Sequence, residues 1–159
     1  MLSEKFGAPK LQRGNHNMKI QFAKPEDFQE IRDLLKSANL PFEDVENGIA
    51  HFLLARNEEE LIGCVGLQIC EKDALLRSLA VSEKERNRGL GKILVQEILE
   101  YASRLNLRII YLLTKTKKQF FLKHGFIETD RKDAPDTIRS TSQFSSFCPS
   151  SAVFMSKHL

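Results

Sequence analysis

The sequence predicts an α/β (α+β) domain in which a mixed, mostly antiparallel central sheet is flanked by helices. Three observations support this fold class: short apolar segments separated by polar turns at 51–81, an apolar stripe of helical period at 93–105, and a nearly continuous apolar run at 109–114. Strands joined by hairpins give the first pattern, a helix packed on a sheet gives the second, and a strand buried on both faces gives the third.

In the first half of the domain, the predicted elements are a strand at 20–22, helices at 28–38 and 42–47, and strands at 51–56, 61–70 and 74–81. Pro25 suits the first turn of a helix, and Asn39 with Pro41 ends the first helix. Gly63 and Gly66 lie within a strand and therefore indicate a bulge or the close approach of another segment.

In the second half, the predicted elements are a helix beginning near Gly89, a strand at 109–114, a short helix at 117–124, and strands at 126–127 and 152–155. Gly125 stands just past the short helix, where a left-handed residue commonly ends a helix. The stretch 129–151 is polar and contains two prolines, so no regular element is assigned to it.

Length and composition narrow the class of protein. The chain has 159 residues, of which 42% are hydrophobic and 28% charged, which suits one folded domain and excludes a disordered or fibrous protein. No apolar run approaches the ~18 to 20 residues of a membrane span, and no apolar signal core begins the chain. We therefore expect a cytoplasmic protein without a membrane partner.

The formal net charge of +3 is not spread evenly over the chain. Three basic residues against one acidic residue place two of the three surplus charges in residues 1–17, so the remainder is close to neutral. Domains that bind nucleic acid by its phosphates usually carry a clustered basic face, so no nucleic-acid partner is expected. Residues 1–17 lack periodicity and are predicted to be a flexible N-terminal extension or an expression remnant before a single domain at 18–159.

The segment 79–92 runs from a strand through a polar loop into a helix start that carries glycines. Free backbone N–H groups at a helix N-terminus attract anions, and glycines let a ligand approach the main chain, so an anion site is predicted here. A Walker A loop is excluded because Arg86 and Ile93 replace its required Gly and Ser or Thr. A Rossmann fingerprint is excluded because Leu94 stands at its third Gly.

The arrangement Arg86-x-x-Gly89-x-Gly91, which follows the strand end Leu79-Ala80-Val81, resembles the pyrophosphate loop of the GCN5-related N-acetyltransferases (GNAT). The pairs Phe120-Phe121 and Gly125-Phe126 downstream extend this resemblance over residues 18–159. The resemblance implies a sheet that splays between its fourth and fifth strands. Acetyl-CoA would lie in that splay and give its acetyl group to the primary amine of a small molecule within a ternary complex.

The resemblance also implies which residues contact acetyl-CoA. The main chain of Leu79 and Val81 in the fourth strand would bind the pantetheine arm, and residues 87–92 of the following loop would bind the pyrophosphate. Thr114 stands where many members carry an Asn that contacts the cofactor, and Phe121 would pack near the thioester. The implied cofactor-binding residues are Leu79, Ala80, Val81, Arg86, Asn87, Arg88, Gly89, Leu90, Gly91, Lys92, Thr114 and Phe121.

Two departures from the family pattern concern proton transfer. Many members have a Tyr that protonates the departing thiolate, and here Phe121 takes its place; some have a Glu base where Leu75 stands here. Neither side chain can move a proton, so the weak catalytic candidates are Ser78, Tyr111 and Cys148, with His124 beside them. The alternative is a catalytically silent acyl-CoA-binding module.

Arg77 lies within an apolar strand, where it either faces solvent, pairs with a carboxylate or binds an anionic substrate. Arg77, Ser78 and Arg131 are the candidate substrate residues, and the two arginines suggest a carboxylate-bearing amine such as an amino acid. The segment 129–151 is expected to line the acceptor pocket or to form a homodimer contact. No metal or disulfide is expected, because the three cysteines form no C-x-x-C pair.

A narrower resemblance concerns the arsenic-resistance N-acetyltransferases of the second type. The segments that carry it are Leu40-Pro41, residues 75–81, residues 111–114 and the tail 131–152. This subgroup would add an arsenic-containing amino acid analogue to the acceptors.

Overall fold

A computed structural model describes residues 18–147 and 150–159 of the chain. The predicted extension at 1–17 and the candidate Cys148 lie outside the described residues, and the side chains of residues 146 and 147 are not described. Within the described ranges, no helix is both long and apolar enough to cross a membrane.

The described residues form one seven-stranded sheet with the strand order β1-β2-β3-β4-β5-β7-β6. Every neighbouring pair is antiparallel except β4 and β5, which are parallel, so the predicted mixed sheet is confirmed. The strands are β1 (Met18–Phe22), β2 (His51–Asn57), β3 (Glu60–Cys70), β4 (Asp73–Val81), β5 (Ile109–Thr114), β6 (Ile127–Glu128) and β7 (Val153–His158).

Four α-helices lie in the described part of the chain: α1 (Phe28–Ser37), α2 (Leu90–Arg104), α3 (Lys118–Leu122) and α4 (Asp136–Arg139). The helix expected at 42–47 is wrong, because only the 3₁₀ turn Val45–Asn47 forms there before Gly48, whose φ of 69° ends it. The stretch 129–151, to which the sequence assigned no regular element, contains α4 and the 3₁₀ turn Arg131–Asp133.

Helices cover both faces of the sheet, and each face has its own apolar core. On one face, the α2 side chains Leu94 and Ile98 are fully buried in the cluster that includes β3 and β5 side chains. On the other face, Ile31 and Leu35 of α1 pack with Phe52 of β2. The two helix layers pack against opposite faces of the sheet and so fix the positions of its strand ends.

The sheet opens between β4 and β5. These two strands pair only at Ala74 with Ile110 and at Leu75 with Tyr111, whereas β5 continues to pair with β7 as far as Thr114. The last six residues of β4 therefore diverge from β5. This opening, named here the β4–β5 gap, confirms the predicted splay.

The part-buried contact between His51 and Tyr101 predicts that stability depends on pH. His51 Nδ1 lies 2.8 Å from the Tyr101 hydroxyl oxygen, and burial lowers the pKa of His51 below its ordinary 6.5. The unfolded chain therefore binds a proton more readily than the folded chain, so the contribution of His51 to stability is lost as pH falls below 6.5.

We expect the free energy of unfolding to decrease between about pH 7.5 and about pH 5.5, and to decrease less in His51→Gln. Urea denaturation of both proteins at the two pH values measures the difference. An equal decrease in both proteins would contradict a role for His51.

Candidate functional site

The main chain at the end of β4 faces the gap. Ser82 donates its backbone N–H to Ile62 of β3 at 2.8 Å, and Ala80 pairs with Cys64 of β3. Because backbone groups alternate sides along a strand, Leu79 and Val81 direct their N–H and C=O groups away from β3 and into the gap. These are the two residues that the family resemblance assigns to main-chain contacts.

A bulge in β4 lies beside these groups. The pairing between β3 and β4 shifts between Cys64 and Gly66, so Ser78 and Leu79 together oppose one residue of β3. Ser78 has a φ of 59°, a left-handed conformation that is uncommon for a serine. Such bulges bend a strand and re-aim its side chains, and here the bent segment borders the gap.

Gly66 confirms the close approach expected of it. A Cβ atom at Gly66 would lie 3.0 Å from the Phe52 ring and 3.3 Å from Arg77 Cγ. The glycine therefore leaves room for the Arg77 side chain to cross β3.

Arg77 belongs to a buried ion pair. Its guanidinium donates two hydrogen bonds to the Asp44 carboxylate, one of them 2.7 Å long, and the two side chains are 1% and 5% exposed. Arg77 also donates to Gln68 Oε1 at 3.3 Å and, through Nε, to Ser78 Oγ at 3.1 Å. Of the three alternatives for Arg77, the structure shows the pairing with a carboxylate.

Asp44 and Gln68 are the residues of this network that the sequence did not single out. A charged side chain within an apolar strand predicts an opposite charge, but the chain offers 21 acidic residues as partners. Asp44 lies in the connection between α1 and β2, and nothing in its local pattern marks it as buried. Its position was therefore not accessible to sequence reasoning.

The N-terminus of α2 lies next to the end of β4. Gly89 is the N-cap residue with a φ of 84°, and no side chain caps the helix. The first helical bond runs from the Ile93 N–H to the Gly89 carbonyl, which leaves the N–H groups of Leu90, Gly91 and Lys92 without helical acceptors. Together with the helix dipole, these groups favour an anion.

Basic side chains surround this helix end. Arg86, Arg88 and Lys92 are exposed, and the first turn of α2 contains no acidic residue. The Arg88 guanidinium lies 3.8 Å from the Glu85 carboxylate, a weak surface pair, and Arg86 donates from Nε to the Val81 carbonyl at 3.1 Å. The loop therefore combines free backbone donors with positive charge.

Aromatic side chains lie next to the start of α2, where the Phe120 ring is 3.7 Å from the position of a Cβ atom on Gly91. The Phe121 ring is 5% exposed and packs edge-on against Phe120 and Phe126, with ring centroids 5.0 and 5.6 Å apart. The ring of His124 lies 4.6 Å from that of Phe120. Burial, then Lys92 and Lys157, lower the pKa of His124.

Thr114 ends β5 on the far side of the gap. Its side chain is buried, and its hydroxyl oxygen accepts a hydrogen bond of 2.9 Å from the Lys117 N–H. This contact starts the turn into α3 and leaves the hydroxyl proton available to a second partner.

Two further candidates lie on the α1 side of the sheet. Tyr111 stacks on Phe154 with ring centroids 5.3 Å apart and shares a buried cluster with Leu75. Burial, and to a smaller extent the nearby Asp73, raise the pKa of Tyr111. Arg131 donates to the Ala152 carbonyl at 3.0 Å, and its guanidinium lies 5.3 Å from the centre of the Phe144 ring. Ser78 is thus the candidate that the structure places on the gap-lining part of β4.

The family described as the acetyltransferase (GNAT) family matches residues 17–126. An uncharacterized N-acetyltransferase from Chlorobaculum tepidum is 34% identical over 59% of this chain and 63% of its own length. An amino-acid acetyltransferase from Aeromonas salmonicida is 28% identical over 58% of this chain, but the match covers only 22% of that longer protein.

Solved structures share the fold at low sequence identity. N-acetylglutamate synthase from Neisseria gonorrhoeae, complexed with coenzyme A and N-acetyl-glutamate, has a TM-score of 0.77 at 21% identity, over 92% of this chain and 36% of that one. A protein from Mycobacterium tuberculosis in complex with CoA has a TM-score of 0.75 at 19% identity, over 89% of this chain and 99% of that one.

Proposed function

The chain belongs to the acetyltransferase (GNAT) family, and from this premise we propose that it transfers the acetyl group of acetyl-CoA to the primary amine of a small molecule. The observation that carries the proposal is the β4–β5 gap, which opens beside the uncapped N-terminus of α2. One elongated ligand with an amide-containing arm and a pyrophosphate fits both features. The reaction is direct transfer within a ternary complex, in the cytoplasm.

In this proposal the pantetheine arm lies along β4 like an added strand. Its amides bond to the main chain of Leu79 and Val81, which faces the gap, and its pyrophosphate binds the free N–H groups at the start of α2. The pantetheine amide then replaces Arg86 as the donor to the Val81 carbonyl. The released Arg86 guanidinium joins Arg88 and Lys92 around the phosphates.

The proposed acceptor is an amino acid or a close analogue. Named relatives that are amino-acid acetyltransferases support this class, as does the solved N-acetylglutamate synthase. Arg131 is the proposed contact for the acceptor carboxylate, and Arg77, which is paired with Asp44, acts on the acceptor through Ser78. The narrower resemblance to the arsenic-resistance subgroup extends the proposal to an arsenic-containing amino acid analogue.

A second candidate function is a silent acyl-CoA-binding module. Phe121 and Leu75 favour it, because both positions of the usual proton-transfer groups hold buried hydrocarbon side chains. Such a module would bind CoA in the same gap without turnover.

Thiol release separates the two functions. The protein is incubated with acetyl-CoA and a panel of primary amines that includes glutamate, with a protein-free control for each amine. We expect release that depends on both protein and amine, and initial-rate lines that intersect when both substrates are varied. CoA binding without release from any amine would favour the module, and parallel lines would contradict the ternary complex.

A further inference from the structure

The buried Asp44–Arg77 pair holds one hydroxyl group at the edge of the β4–β5 gap. Ser78 lies three residues beyond Leu75, the last residue of β4 that pairs with β5. Its Oγ accepts a hydrogen bond from Arg77 Nε, while the other end of the guanidinium is fixed by Asp44 and Gln68. The side chain of Ser78 is half-buried, so part of it remains accessible from outside the sheet.

The left-handed backbone of Ser78 is a second feature that sets this residue apart. A non-glycine residue at a φ of 59° costs roughly 1–2 kcal/mol, and the surrounding structure must enforce it. A glycine would relieve the strain but would remove the hydroxyl group. The backbone strain and the hydrogen bond from Arg77 thus occur at the same residue.

The chemistry of acetyl transfer needs a group that moves a proton between two substrate atoms. The amine nitrogen bonds to the thioester carbon and must lose a proton, while the carbon–sulfur bond breaks and the sulfur must gain one. A serine hydroxyl is too weak an acid to supply this proton by itself. It can accept the amine proton on its oxygen while it passes its own proton to sulfur, and it then ends the step unchanged.

The hydrogen bond from Arg77 leaves Ser78 free for this task. It uses one lone pair of Oγ, so the second lone pair and the hydroxyl proton remain available to the substrates. A donor that is charged also orients the hydroxyl more firmly than a neutral one. By contrast, Tyr111 is stacked in a buried cluster, and Phe121 carries no proton.

On these grounds, and resting on the proposed acetyltransferase function, we infer that Ser78 is the catalytic residue that relays the proton from the attacking amine to the CoA sulfur. Arg77 and Asp44 are the positioning residues that hold its hydroxyl at the gap. This relay takes over the task of the acid and base that Phe121 and Leu75 cannot perform.

The first test replaces the hydroxyl in two ways. Ser78→Ala and Ser78→Gly both lack it, but only glycine adopts the left-handed backbone freely. We expect kcat to fall about 100-fold in both variants, the scale of a general acid–base group, with the Michaelis constant for acetyl-CoA unchanged. Ser103→Ala, at the exposed far end of α2, is the matched control and should keep the wild-type kcat.

The second test concerns the positioning pair. The double variant Asp44→Leu/Arg77→Met removes both charges together, so it leaves no unpaired buried charge. We expect its kcat to fall about 10-fold at an unchanged Michaelis constant for acetyl-CoA. Adding Ser78→Ala should then lower kcat no further than Ser78→Ala alone, because Arg77 acts through Ser78. Multiplied losses would overturn the positioning role.

The outcomes separate this inference from the proposed function. If the wild-type protein turns over an amine and both Ser78 variants keep its kcat, the relay is wrong and the acetyltransferase function stands. If Ser78→Ala loses activity but Ser78→Gly keeps it, the backbone and not the hydroxyl matters, and the relay is again wrong. If the wild-type protein binds CoA without turning over any amine, both proposals fail.

Discussion

Gly89→Leu is expected to raise the dissociation constant for CoA about 100-fold, equivalent to about 2.7 kcal/mol. Gly89 is the N-cap of α2 and has no heavy atom within 4 Å of the position that a Cβ would occupy. A leucine side chain there would stand in the open space before the free N–H groups of the helix. The pyrophosphate could then no longer approach the backbone donors.

Gly48→Leu is the matched control for this variant. Gly48 also has a positive φ, of 69°, and it too has nothing within 4 Å of a Cβ position, but it ends the turn before β2. Both leucines should lower the free energy of unfolding by roughly 1–2 kcal/mol through left-handed strain. Only Gly89→Leu should lose CoA affinity.

Isothermal titration with CoA and urea denaturation of both variants give the two quantities. Equal affinity for CoA in Gly89→Leu and in the wild-type protein would refute the anion site at the start of α2. Equal losses of affinity in both variants would assign the effect to general destabilisation.

Arg77→Met is expected to lower the free energy of unfolding by about 3–5 kcal/mol. The substitution leaves the Asp44 carboxylate buried without its partner, and an uncompensated buried charge is strongly destabilising. The double variant Asp44→Leu/Arg77→Met should recover most of this loss. Chemical denaturation of the wild type, Asp44→Leu, Arg77→Met and the double variant completes a double-mutant cycle for the pair.

Lys84→Met provides the contrast with a surface pair. Lys84 binds Glu60, and the two side chains are 61% and 55% exposed, so its replacement should change stability by less than about 1 kcal/mol. A loss in Arg77→Met no larger than in Lys84→Met would show that the Asp44–Arg77 pair is solvated in solution. That result would also remove the rigid support assumed for Ser78.

Sequence patterns predicted the fold where hydrophobic period and local turn chemistry decide it. The strand at 109–114 has the predicted bounds, because a strand buried on both faces forms a continuous apolar run. The turn residue Gly125 has the left-handed φ expected of it, at 88°. The loop before α2 was also recognisable, since its glycines and the following apolar stripe are both local signals.

Long-range partners were not predictable in the same way. Gly66 indicated a bulge in its own strand, but the two bulged residues beside it, Ser78 and Leu79, belong to the neighbouring strand. Asp44 is 33 residues from Arg77, and its burial follows from how the α1–β2 segment folds over the sheet. The helix α4 was missed because four residues are too few for a period to show.

The β4–β5 gap also has a consequence for association between chains. Among the described residues, it leaves amide and carbonyl groups along β4 without a partner strand, and such an edge can pair with a strand of another chain. The Arg86 side chain bonds to one of these groups, the Val81 carbonyl, and so places a charged side chain across the edge. Arg86, the side chain proposed to bind phosphate when CoA is present, would thus protect the empty protein against edge-to-edge aggregation.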